Sequence, residues 1–149
     1  MFRGSSYHKI DSKGRIIVPT RFQFALKNHL SHGLMISCLD GGLVAYPFDE
    51  WKKIEERILA LAERSHALRR FRRVFIGGAC ECPLDAQNRI LIPQTLRNYA
   101  KIEKDILMVG VLDHFEIWSN EIWEKESRML EEEDMKSEEV KNEIAKLGL

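Results

Sequence analysis

Residues 11–19, DSKGRIIVP, and residues 85–93, DAQNRILIP, repeat one pattern: an Asp, an Arg four residues on, three aliphatics and a Pro. The copies lie 74 residues apart, and the match extends outward on both sides. Upstream, Arg3-Gly4 stands opposite Gly77-Gly78 and Ile10 opposite Leu84. Downstream, LDGGLVAYPFDEW (39–51) resembles LDHFEIWSNEIW (112–123) with one residue dropped, so that Tyr46 and Trp118, then Trp51 and Trp123, recur in order. A fixed period is a statement about architecture before any element is assigned. Here it marks a duplicated unit.

Each copy spells the same succession of elements. A strand at Tyr7–Ile10 enters a turn at Asp11–Gly14, where the Asp bonds back to nearby backbone and Gly14 supplies a positive φ. Asn88 holds the glycine position in the second copy, and Asn is the next best residue there. Ile16–Val18 and Ile90–Ile92 are expected as short buried strands. Pro19 and Pro93 suit the first helical position, and the helices after them carry Phe22, Leu26 and Leu30, then Leu96 and Ala100, at four-residue spacing. GLMISCLD with GLVAYP, and DILMVGVLD with FEIWS, read as hairpins. Trp51, Ile54, Ile58, Leu61, Ser65 and Leu68 step by three and four, predicting one long helix that ends in LRRFRRVF. Asp49 and Asn120 are the expected N-caps of the helices that close the two copies.

Bulk composition narrows the function classes. The 149 residues are 44% hydrophobic and 31% charged, as in a globular protein, and no apolar run approaches a membrane span. MFRGSSYHK lacks an apolar stretch, so no secretory leader is expected. Three cysteines form no paired framework, which points to a reducing cytosol. Net charge is zero, yet residues 1–74 carry 14 Lys/Arg against 7 Asp/Glu while residues 75–149 carry 9 against 16. That asymmetry suggests a basic working face, with EEED at 131–134 expected on a solvated helical tail.

No P-loop, GxSxG or HExxH is present, and neither copy of the repeated motif contains a His or Cys. No catalytic residues, cofactor or small-molecule substrate are therefore expected. The pair Cys80 and Cys82 supplies two thiolates, short of the four ligands zinc prefers, so no metal is expected and both are read as core-facing strand residues. The repeated polar residues are better suited to DNA. Arg15 follows a turn and precedes a strand, with Lys13, Lys9 and Arg21 near it in sequence. A guanidinium so placed suits the N7/O6 edge of guanine, while lysines and the backbone N–H groups at Gly14 suit phosphate. Asp11 and Asp85 are expected to brace the turns, since a carboxylate repels phosphate. The run Arg69, Arg70, Arg72 and Arg73 fits a phosphate patch, a basic helix C-terminus or a subunit contact.

MFRG at the start, DSKGRIIVP, LDGGLVAYPFDEW, RRFRRVFIGGACECPLDAQNRILIP and FEIW together resemble the bacterial MraZ family, from Met1 to about Trp123. The resemblance implies an α+β, β-rich fold: a tandem-duplicated AbrB-like swapped-hairpin β-barrel with flanking helices. Its implied divisions are repeat units at 5–51 and 79–122, a connecting segment at 52–78 and an acidic helical tail at 123–149. It also implies a closed homo-oligomeric ring and a cytoplasmic, nucleoid-associated transcriptional regulator. Such a protein typically represses the division and cell-wall gene cluster and its own gene. Carried over by position, the first motif gives Lys13 and Arg15 and the second Gln87 and Arg89, with Asp11, Gly14, Asp85 and Asn88 orienting the turns; the cations Lys9, Arg21 and Arg3 near the first motif complete the expected DNA-binding set. The expected partner is a double-stranded DNA promoter with short G-rich direct repeats. The competing classes are a ring-forming scaffold and a sequence-blind nucleoid protein.

Overall fold

The computed structural model describes every residue except 30–32 and 62–64. Leu30, the third apolar position expected after Pro19, lies outside the described residues. Two compact units make up the chain, residues 1–119 and 120–149. The first runs β1 (Ser5–Lys9), β2 (Arg15–Ile17), α1 (Thr20–Leu26), β3 (Gly33–Leu39), β4 (Gly42–Pro47), α2 (Phe48–Ala60) and α3 (His66–Gly77) through the first copy of the repeat. It continues with β5 (Cys80–Pro83), β6 (Arg89–Leu91), α4 (Gln94–Tyr99), β7 (Asp105–Gly110) and β8 (Phe115–Ser119). The second unit holds α5 (Asn120–Glu132), a 3-10 turn (Asp134–Lys136) and α6 (Glu138–Ala145).

Two hairpins stay within a copy, β3 with β4 and β7 with β8. The first turns on Asp40 and Gly41, both at positive φ, as a two-residue hairpin whose twist matches its strands requires. The other named pairings join the two copies: β1 with β7, β5 with β3, β4 with β8 and β2 with β6, all antiparallel. The sheet order β1-β7-β8-β4-β3-β5 reads the same when the copies are exchanged. A pseudo-twofold axis thus passes between β4 and β8 and between β2 and β6. The fold is mixed α+β with an antiparallel sheet. Among the described residues no closed barrel is found: the six-stranded sheet is open and ends at β1 and β5. Among the described residues the three-residue strands β2 and β6 are the ones left over, and they pair with each other as a separate ribbon instead of joining that sheet.

Alternation along the strands feeds two cores. Leu34, Ile36, Leu43, Ala45, Ile106, Met108, Phe115 and Ile117 point into the larger one, where α1, α4 and the ribbon contribute Phe22, Leu96, Ile16 and Ile90. Phe2 of the MFRG start is 1% exposed, packs its ring on Phe22 and Phe115, and so pins the N-terminus to this core. Val44 and Tyr46 on the opposite face meet Trp51, Ile58 and Phe75 from α2 and α3. Buried Ser37 donates to the Phe75 carbonyl, joining α3 to the sheet. In the second unit α5 and α6 bury no residue, and Lys136–Glu133, Lys141–Glu138 and Lys146–Glu143 are exposed pairs of the kind that contribute little.

Several local expectations are corrected. The long helix is two, because Leu61 and Ser65 are both extended and Ser65 accepts from the Leu68 N–H as the cap of α3. Pro19 and Pro93 are N-cap residues, not first helical ones, and Pro19 C=O takes the first helical bonds from Phe22 and Gln23. Pro47 caps α2, leaving Asp49 inside its first turn, where it accepts from His29 Nδ1 at 2.8 Å. Asn120 lies within α5, and its Oδ1 accepts no hydrogen bond, so it caps nothing. The aliphatic triplets are not wholly buried. Ile16 and Ile90 are inside, but Ile17 and Leu91 are 60% and 56% exposed, because even a three-residue strand alternates.

Two glycines test this packing. A Cβ on Gly110 would overlap backbone atoms of Phe2 and Arg3, which cannot move without lifting the N-terminal strand. Gly110→Ala is expected to destabilise by about 3 kcal/mol, the upper range for overpacking. Gly77, at the end of α3, has open space around it, so Gly77→Ala is expected to be neutral or stabilising by up to about 1 kcal/mol. Urea unfolding of both variants checks the contrast, and equal midpoints would contradict it.

Candidate nucleic-acid interface

Each repeated Asp folds a short turn around its own Arg. Asp11 Oδ1 accepts from the backbone N–H of Lys13 and of Arg15, both at 2.9 Å, and Oδ2 accepts from Arg15 Nε at 2.7 Å. Asp85 repeats the set with Gln87 and Arg89 N–H at 2.9 Å and Arg89 Nε at 2.8 Å. Gly14 N–H reaches Asp11 C=O and Asn88 N–H reaches Asp85 C=O, each at 3.0 Å. Both turns need a residue at positive φ, supplied by Gly14 at +87° and Asn88 at +59°. The backbone N–H of Arg15, its guanidinium and the Lys13 N–H outweigh partial desolvation and hold the Asp11 carboxyl pKa down to about 2. Asp85 is lowered likewise, first by the Arg89 N–H, then by its guanidinium and the Gln87 N–H. The carboxylates are thus committed to N–H groups inside the turns. Each brace uses only Nε, leaving outside it the two Nη groups that would fork onto a base edge.

The ribbon brings the two turns together. Arg15 pairs with Leu91, Ile16 with Ile90 and Ile17 with Arg89. Val18 N–H donates to Asn88 C=O at 2.9 Å and Ile92 N–H to Gly14 C=O at 2.8 Å, so each turn is tied to the strand of the other copy. With Ile16 and Ile90 turned into the core, Arg15, Ile17, Arg89 and Leu91 share the outer face. Arg15 and Arg89 are diagonal neighbours there, roughly 7–8 Å apart at the backbone.

The remaining expected residues divide into two groups. Lys13 and Gln87 sit in the turns themselves, and Lys9 ends β1 close by, 3.9 Å from Asp105. Arg3 and Arg21 lie elsewhere. Arg21 Nε donates to the Arg3 carbonyl at 3.2 Å and its guanidinium covers the Phe22 ring, at the far end of β1 from the turn. Eight residues of extended chain separate Arg3 from Asp11, roughly 25 Å at a strand's rise. The four arginines 69–73 lie in the middle of α3, whose last turn holds no basic residue, so the helix dipole does not account for them. Among the described residues no three His, Cys, Asp or Glu converge as a metal group would require. Cys82 is buried in the core on β5, its thiol pKa pushed up to about 12 by that burial.

One cation at the first turn went unnoticed in the sequence. Arg97 donates from Nε to Ile92 C=O at 3.0 Å and lays its guanidinium against Gly14, whose added Cβ would meet Arg97 Cζ at 2.8 Å. Gln23, the corresponding residue of the first copy, donates to Val18 C=O at 2.7 Å in the same way. The clue was the 74-residue offset, which aligns Gln23 with Arg97 outside the conspicuous motif.

A family model described as "MraZ protein, putative antitoxin-like" matches residues 1–74 and again residues 75–143. Relatives named "Transcriptional regulator MraZ" include that of Desulforapulum autotrophicum, 55% identical over 121 residues, covering 81% of this chain and 82% of the relative. That of Desulfosudis oleivorans is 50% identical over 119 residues, covering 80% of each, and that of Haemophilus influenzae 45% identical over 123 residues, covering 80% and 81%.

The turns differ in what they tolerate. Asn88→Gly is expected to change stability by under about 1 kcal/mol, whereas Gly14→Ala, strained in φ and pressed against Arg97, should cost about 1–3 kcal/mol. Unfolding midpoints of the two variants measure this. The depressed Asp11 pKa has a pH signature. Its contribution is complete above 3.8, the ordinary value, and is lost as pH falls through about 2. Wild-type stability should therefore decline over that window more steeply than that of Asp11→Asn. Parallel profiles would show that the carboxylate does not brace the turn.

Proposed function

The chain belongs to the MraZ family, and we propose that it is a regulator of transcription that binds DNA through the outer face of the β2–β6 ribbon. The observation that carries this is the pair of Asp-braced arginines held side by side on one strand pair. A two-stranded ribbon fits the major groove, and an arginine fixed at Nε can offer its two Nη groups to guanine O6 and N7. Lys13 and Lys9 grip phosphate through their ammonium groups, since the N–H groups of Lys13, Gly14 and Arg15 expected to do so already donate to Asp11, and Gln87 meets a base edge in place of a second lysine. Arg3 and Arg21, joined to each other and not to the turns, serve as outlying backbone contacts. The first turn, with Lys13 and Arg97 beside Arg15, supplies most of the affinity. In this role the protein regulates and does not catalyse, consistent with the relatives' printed names.

The finer organisation follows from the same premise. The strand exchange between copies supports descent from an AbrB-like swapped-hairpin unit, with repeats at 5–51 and 79–122 joined by 52–78 and followed by the tail at 123–149. One ribbon with a few cations grips DNA weakly, so the chain works as a homo-oligomeric ring whose subunits each engage one short G-rich repeat. Effective concentration then raises affinity without new contacts. The promoter is that of the division and cell-wall cluster, including the protein's own gene, and the action is repression in the nucleoid. Among the described residues no helix is long and apolar enough to cross a membrane.

The test is an Arg15→Ala, Arg89→Ala double variant on DNA footprinted upstream of its own gene. Each lost fork is worth about 1–3 kcal/mol, so affinity should fall at least about 30-fold while oligomeric mass stays unchanged. Retained binding would sink the regulator in favour of a ring scaffold. Wild-type preference for the footprinted site over unrelated DNA at fixed salt excludes sequence-blind binding, and shortening the operator to one repeat should sharply weaken it.

A further inference from the structure

Arginines do not account for the whole outer face of the ribbon. Ile17 and Leu91 share it, 60% and 56% exposed, although a strand that merely carried two cations would gain solubility from polar residues there. Both copies place an aliphatic at this position. Each stands directly across the ribbon from an arginine of the other copy: Leu91 from Arg15 and Ile17 from Arg89. Two side chains are far too small a surface to hold a second subunit by themselves, since a stable interface takes about 800 Å² from each partner. Their flanks, Arg15 and Arg89 with Lys13 and Arg97, are cationic and suit a polyanion.

From this we infer that Ile17 and Leu91 are specificity-determining residues that recognise the C5-methyl groups of thymines in the major groove. The inference rests on the DNA-binding role proposed above and names the base chemistry of that site. Thymine alone among the four bases presents an apolar group in that groove. Side chains facing each other across an antiparallel pair stand about 4.5–5.5 Å apart, and stacked bases about 3.4 Å apart. Each aliphatic tip therefore lands one or two base pairs from the guanine held by the arginine across from it. The ribbon reads a compound word, guanine with a nearby thymine, and reads it twice about its pseudo-twofold axis.

Deoxyuridine substitution tests this, because it deletes the methyl and preserves every hydrogen-bonding group. In the footprinted operator, thymines within two base pairs of a protected guanine are replaced one at a time, and binding of the full chain is measured. A lost methyl contact is expected to weaken wild-type binding about 4-fold. The Ile17→Ala, Leu91→Ala variant should bind the thymine and deoxyuridine operators equally. Ile17→Thr, Leu91→Thr, which keeps strand-favouring side chains, is examined beside it with unfolding midpoints as the check on folding. Indifference of wild type to every deoxyuridine, or discrimination surviving in the alanine variant, overturns the inference. So does a change of oligomeric mass in both variants, which would give the face to a second copy. If wild type is indifferent while Arg15→Ala, Arg89→Ala abolishes binding, only the thymine contact fails. If that arginine variant binds normally, the DNA-binding role fails with it.

Discussion

The rung formed by Ile16 and Ile90 is the contact on which the rest depends. A two-stranded ribbon of three residues per strand has no stability of its own. It persists because both isoleucines, with Val18 and Ile92, are completely buried in the shared core. The carbonyls of Gly14 and Asn88 fasten its ends to the strand of the opposite copy. Pulling that rung apart would separate the two arginines and leave each Asp-braced turn without a platform. The outer face of the ribbon is thus only as rigid as the core behind it, and that core belongs to both copies at once. Neither half of the chain has partners for its own β1 and β2 or β5 and β6.

Turn chemistry was legible in the residues because it is local. Asp at one position, Gly or Asn three later and Arg four later encode the bracing bonds whatever lies further along the chain. The partner of each strand was not legible. Alternation states which face is buried but not against whom, so an exchange of hairpins was implied only by the family resemblance, and the strand partners and the open sheet emerge in three dimensions. Three aliphatics in a row concealed a period of two, and Ile17 and Leu91 turned outward. The helical stripe ran through Leu61 and Ser65 without a break, yet the Ser65 side chain offered the backbone a cap and the helix restarted there. Arg97 escaped notice because its value lies in being packed on Gly14, a contact between residues 83 positions apart.

Gly14 and Asn88 show what duplication within one chain permits. A homodimer would carry the same residue at both turns and the same side chain against each. Here Gly14, with no Cβ, accommodates the Arg97 guanidinium, while the second turn carries a bulkier Asn88 and its copy-mate at the Arg97 position is the smaller Gln23. Lys13 and Gln87 diverge in the same sense. The braces stay alike because they do mechanical work required at both ends. The cations differ because nothing in the fold demands that they match.

That inequality has a consequence for the DNA on which such a chain can act. A symmetric ribbon fits a palindrome equally well in either orientation and has no preferred direction along the duplex. In the proposed DNA-binding role, a ribbon with Arg15, Lys13 and Arg97 at one end and Arg89 with Gln87 at the other would have a strong end and a weak end. Turned around on the same site, it would put the wrong cations over each base pair, and the difference in binding energy fixes its polarity. Subunits arranged head to tail around a ring would all face the same way. Identical sites read in one direction are direct repeats, so the divergence of two turns inside one chain and the proposed direct-repeat operator follow from a single asymmetry.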